Sequence, residues 1–175
     1  MSILKVDTIN EKTTGNGVAI PGHVIQMVNT SWSTQTVITA TSYTAVTGGS
    51  LTITPKFSTS KILVMVSLST KVNDPNTVYA NGALQILRGS TNISGSVPTD
   101  GTGSFEIGFY AGGISGFELN HRYANNVIDS PSTTSATTYS VKGKSYGSAG
   151  GIVTVNASGA GGSGTSSLIL MEIAQ

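Results

Sequence analysis

At 175 residues the chain is long enough for one domain of about 150 residues, which buries roughly 68–70% of its unfolded surface, plus a short appendage. A net charge of +1, with only 10% charged residues, excludes the clustered basic face that nucleic-acid binding needs. The absence of cysteine excludes disulfides and thiolate metal sites, while 38% hydrophobic residues suffice for a packed core.

The chain opens on a short extended segment, Met1 to Ile9, whose Leu4, Val6 and Ile9 are too apolar for a free tail. The polar, glycine-bearing stretch Asn10 to Gly17 separates it from the remainder of the chain, so residues 1–21 read as an arm and spacer and residues 22–175 as the domain. An arm of this kind cannot bury its own surface and must pair with its own copies or with a larger assembly. No charged n-region followed by an apolar h-region is present, so no secretory leader is expected.

Downstream, abundant Thr and Val with glycine punctuation predict an all-β domain. Strand-like runs occur at His23–Val28, Gln35–Ala40, Ser50–Thr54, Lys61–Leu68, Ala83–Arg88, Phe105–Ala111, Thr138–Lys144, Gly151–Val155 and Ser167–Ile173. Turn signals separate them at Thr47-Gly48-Gly49, Asp74-Pro75-Asn76, Gly101-Thr102-Gly103, Ser130-Pro131 and Gly159 to Gly164. Many short strands without helices indicate an antiparallel β-sandwich or jelly roll. Residues Asn92–Ser104 and Asn120–Asn126 read as exposed polar loops, and Trp32 as a plug over one end of the sandwich.

Two runs depart from simple alternation. Lys61 to Val66 and Leu168 to Met171 are apolar on both faces, as central strands of a thick sandwich would be, or as strands covered by the core on one side and a neighbouring subunit on the other. Both runs fall far short of the roughly 20 residues of a membrane helix.

Motifs for catalysis are thin. Asp74, Asp100, Glu106, Glu118 and Asp129 are dispersed, without the paired spacing that would point to glycoside hydrolysis, and the three aspartates sit in turn-like contexts. No serine lies in a Gly-x-Ser-x-Gly elbow, His23 and His121 are isolated, and no glycine loop carries the Gly-Lys-Ser/Thr ending of a phosphate site. No metal and no cofactor is expected. Binding is the better prospect: Tyr110, Tyr123, Asn125 and Asn126 combine rings and amides suited to glycans. The closest basic grouping, Lys142 and Lys144, falls on one face of one strand.

The opening LKVDTI, a loose spacer and VAIPG resemble the start of tail-fibre and head-fibre proteins of tailed bacteriophages, marine and cyanophage types especially. Three further blocks, Thr41–Ser69, Asp129–Ser145 and the terminal SLILMEIAQ, resemble the C-terminal knob domain of such fibres, whereas Lys71 to Asn126 carries little of the likeness. The resemblance implies a trimeric jelly roll similar to C1q and tumour-necrosis-factor heads, with first and last strands near the threefold axis. Val24, Gln26 and Val28 and then Leu168, Leu170 and Glu172 would form the trimer interface, and Leu4, Val6 and Ile9 would attach to the virion. The expected function is a non-enzymatic virion protein, a short fibre or knob that adheres to a host-surface glycan or outer-membrane protein. It would be made in the host cytoplasm and held by other tail, baseplate or capsid proteins. Head decoration and a small glycan-degrading spike are the alternatives.

Overall fold

A computed structural model describes residues 8–73 except 13, 16 and 19, then 79–95, 105–110, 118–146, 151–159 and 162–175. Side chains are described for all of these except residues 79–80, 105–110, 158–159 and 162–163. The described residues form strands β1 (Val24–Trp32), β2 (Thr36–Ile38), β3 (Thr44–Ile53), β4 (Lys61–Asn73), β5 (Tyr79–Arg88), β6 (Thr91–Asn92), β7 (Phe105–Tyr110), β8 (Glu118–Asp129), β9 (Thr137–Ser145), β10 (Ile152–Val155), β11 (Ser158–Gly159), β12 (Gly162–Ser163) and β13 (Ser166–Ile173). No helix occurs among them.

The fold is an antiparallel β-sandwich of two sheets, with β11 and β12 paired separately from both. In the first, β4 is the axis. Along one side β8 pairs with it from Ile62↔Asp129 to Asn73↔Glu118. Along the other side β13 takes the first half of β4 and β10 the second half. Outside these lie β1 against β13 and β2 against β10. The second sheet runs β3-β9-β5, with β6 and β7 both on the far side of β5. From β2 onward the chain crosses repeatedly between the sheets, which is why each layer is built from strands distant in sequence.

Alternation decides what lies between the layers. Ile62, Val64, Val66, Leu68 and Val72 of β4 and Leu168 and Leu170 of β13 face Val46 and Ile53 of β3, Leu84 and Ile86 of β5, and Tyr139 and Val141 of β9 in one core. Two polar clusters complete the packing, the first between the layers and the second within the first sheet. Arg88, closing β5, places Nη1 2.7 and 2.9 Å from the two carboxylate oxygens of Asp129, which closes β8. Tyr139 donates its hydroxyl to the same carboxylate at 2.7 Å, and burial followed by that bond raises the phenol's pKa far above its ordinary value. Asp129 is thus a bridge between sheets, where the sequence predicts a turn carboxylate bonded locally. At the other end Asn156, buried at a φ of 55°, donates to the carbonyls of Trp32 and Thr34 and accepts from Ser166.

Each of the nine predicted strand runs has a counterpart, mostly longer. The main correction is β8: Asn120–Asn126 is the middle of a 12-residue strand, not a loop. A second correction concerns Thr47-Gly48-Gly49, which does not separate strands but lies inside β3 where the register with β9 shifts between Ala45 and Ser50. The irregularity makes room for Trp32, the last residue of β1, which is buried as the plug reading expects. Gly48 sits at a φ of +80°, and a Cβ there would meet the indole at 2.8 Å.

Replacing Gly48 by Ala is therefore expected to cost about 3 kcal/mol, left-handed strain and overpacking together. Gly89→Ala, at positive φ but in open space, should cost only about 1 kcal/mol. Urea unfolding followed by the fluorescence of the single tryptophan checks both, and equal costs would contradict the packing account.

Candidate functional site

The outward face of the first sheet carries an apolar band that no other described strand covers. Register places Met27, Met171, Leu63 and Ile128 in one row across β1, β13, β4 and β8. The next row is Asn29, Ile169, Met65 and Asn126. Ile173 and Val24 extend the band on the other side of the first row. Ile128, Val24 and Met27 are 63%, 54% and 53% exposed, and the remaining apolar members are half-buried. Four strands at about 4.8 Å spacing make the band roughly 14 Å wide.

Farther along β4 the face becomes small and then charged. Ser31, Ser167, Ser67 and Ala124 form a third row. Beyond it Arg122 donates to Ser67 and to the carbonyl of Thr165 at 3.0 and 2.9 Å. Lys71 pairs with Glu118 at 3.0 Å. The face thus has an apolar half and a hydrophilic half.

The interface residues read from the sequence lie mostly on the opposite side of these strands. Val24 is on the outward face, but Leu168, Leu170 and Glu172 are fully buried inside the protomer and Gln26 and Val28 turn the same way. The correction is one of phase: Ile169, Met171 and Ile173, the alternate set of the same strand, face outward. A strand apolar on both sides does not declare its inner face by hydrophobicity.

Glu172 settles the phase. Its carboxylate accepts the Lys56 amide at 2.8 and 3.0 Å, the Phe57 amide at 3.1 Å and the Gln26 side-chain amide at 2.6 Å. Gln26 in turn donates to the Thr54 carbonyl at 2.7 Å. Burial pushes the Glu172 pKa up, but these donors together outweigh it and hold the group below its ordinary value. The pattern offered no signal for this, because the backbone donors come from the connection between β3 and β4.

The predicted ligand residues do not converge. Tyr123 and Asn125 face inward from β8, and Tyr123 packs against the core, its pKa pushed up to about 12 by burial. Asn126 points the other way, onto the outward face, and Tyr110 lies in β7, where its side chain is outside the described residues. His121 also turns inward, beside Thr70, and burial lowers its pKa. Ile9 is exposed, while Leu4 and Val6 lie outside the described residues. Of the candidate carboxylates, Glu118 and Asp129 are in ion pairs and Glu106 stands in β7; Asp74 and Asp100 are outside the described residues.

A second feature lies on the outward face of the other sheet, where the sequence shows only a pair of lysines. Lys144 of β9 holds its ammonium 4.8 Å from the ring centre of Tyr43 and 4.6 Å from that of Tyr146. Each contact of this kind contributes about 0.5–1 kcal/mol at an exposed position. No protein-family model matches the chain, and comparison with curated proteins found none similar to it.

Replacing Glu172 by Gln should lower stability at pH 7 by about 2–3 kcal/mol, the scale of hydrogen bonds to a charged group. Because the folded pKa is depressed, this contribution is complete above the unfolded value of about 4.3 and is lost as pH falls through the folded one. Denaturant unfolding should therefore show the gap between native and variant closing from pH 6 to pH 3. A gap independent of pH would contradict the assignment.

Proposed function

We propose that this chain is a structural virion protein of a tailed phage, a short trimeric knob that adheres to the host surface and makes or breaks no bond. The observation that carries the self-association is the outward band of Met27, Met171, Leu63 and Ile128, with Ile169, Met65, Ile173 and Val24 around it. Apolar side chains gathered in this way on one flat sheet face, three of them more than half exposed, are an interface in search of a partner. The partner that fits is a second and third copy, because the band lies on β1 and β13, the strands that the fibre resemblance sets near a threefold axis.

The connectivity supports the finer reading of the fold. Four strands β1-β13-β4-β8 oppose β3-β9-β5-β7, and successive strands cross between layers as they do in a jelly roll. The phage assignment itself rests on the residue blocks of the sequence, and adhesion on what a rigid multivalent knob can do with weak single sites. The arm bearing Leu4, Val6 and Ile9 would hold the knob to the particle.

Light scattering is expected to give three times the 17.8 kDa of one chain, and three times the correspondingly smaller chain mass when residues 1–21 are removed. Met171→Glu, which sets a charge in the middle of the band, should reduce this to one chain while circular dichroism keeps its strand signal. Leu170→Glu, one position away but facing the core, should instead abolish folding. A monomeric native chain, or a trimer indifferent to Met171→Glu, would overturn the assembly proposed. Labelled antibody confined to capsomers would replace adhesion by head decoration.

A further inference from the structure

We propose that three copies close into a ring edge to edge, strand β1 of each meeting strand β8 of the next, with Asn29 of one copy paired to Asn126 of its neighbour. The inference rests on the assembly reading above and gives it a contact, a register and a specificity pair.

Strands β1 and β8 are the two ends of each row on the outward face. The first row ends in Met27 and Ile128, the second in Asn29 and Asn126, the third in Ser31 and Ala124. All six residues are exposed. Rotation about an axis running along the strands keeps each row at its own level. The ends that meet are then apolar with apolar, amide with amide, and small with small. A primary amide carries both donors and an acceptor, so two asparagines satisfy one another across such a contact. The register of β1 shifts between Val24 and Gln26, and the Asn126 backbone amide already donates to the Asn125 side chain at 2.8 Å. Both features blunt the edges against a ladder that would run on from one copy into the next, which leaves the contact to side chains.

The width of the band sets the number of copies. Three faces about 14 Å wide, set as the sides of a triangle, each lie about 4 Å from its centre, near half the ~10 Å at which sheets stack. Met171, Leu63, Ile169 and Met65, in the middle of the rows, fill that space. Four faces would stand about 7 Å from the centre and leave the axis empty. Each copy offers β1 to one neighbour and β8 to the other, so the contact is heterologous and is completed only when the ring closes.

Charges placed at the two asparagines test the pairing, read by light scattering of the full chain over a dilution series at pH 7. Within one copy the two positions are three strands, roughly 14 Å, apart, beyond the Debye length of about 8 Å at physiological salt. Asn29→Asp combined with Asn126→Asp sets carboxylates against each other at every contact, and dissociation is expected at a concentration at least 10-fold higher. Asn29→Asp combined with Asn126→Lys should return the midpoint to the native value or below it. Both double variants should keep the native strand signal in circular dichroism, because the positions are exposed. Equal midpoints for the two double variants, with the native chain still a trimer, would overturn this pairing alone. Dissociation of Asn29→Asp by itself as readily as the double aspartate variant would set β1 against β1 and overturn it too. A native mass of one or two chains would overturn the assembly proposed above as well.

Discussion

A buried carboxylate on the last strand sets the phase on which the two faces of this protein depend. The run from Leu168 to Ile173 is apolar on both sides, so hydrophobic burial alone hardly distinguishes one face from the other. Glu172 distinguishes them. Turned inward, it meets two backbone amides of the β3–β4 connection and the Gln26 side chain, a donor set that offsets the cost of removing the charge from water. Turned outward, it would leave those amides unsatisfied and drive Met171 and Ile169 into the core. Because β13 is paired with both β1 and β4, its phase propagates across the first sheet.

The consequence is a sheet with an inner face filled by aliphatic packing and an outer face that grades from methionine and isoleucine to serine and then to paired charges. The gradient gives the face a direction. An interface placed over its apolar half would leave Arg122, Lys71 and Glu118 at the hydrophilic end, where their ion pair and hydrogen bonds already satisfy them. Arg88, Asp129 and Tyr139 join β5 and β9 to β8 across the layers, and Asn156 joins β1, β4 and β13 within the first sheet.

The second sheet differs in character. Its strand β5 is buried on both sides: Leu84 and Ile86 inward, and Ala83, Gln85 and Leu87 outward. Two-sided burial was expected of β4 and β13, yet it is on β5 that one chain alone achieves it. Next to this sealed strand, β9 projects lysines toward solvent, with tyrosines on either side of Lys144. Self-association is accordingly proposed for the first sheet, the side rich in uncovered methyl groups.

Much of this was legible in the residues. Val, Ile and Thr runs with glycine punctuation declared an all-β sandwich and located nine strands, because alternation and turn chemistry are local properties. Strand β8 was hidden: in ELNHRYANNVID the inward set includes His121, Asn125 and Asp129, and Asn and Asp have low strand propensity. It is a strand because β4 offers it a partner along its whole length, which no local window contains. The glycines at 48 and 49 likewise announced a bend, but their purpose, room for Trp32, appears only when the two segments meet. The amino-acid order thus determined which segments are extended and that some are apolar on both sides. Which side turns inward, and so which residues are left to meet a partner, was decided by donors and neighbours that only the folded chain brings together.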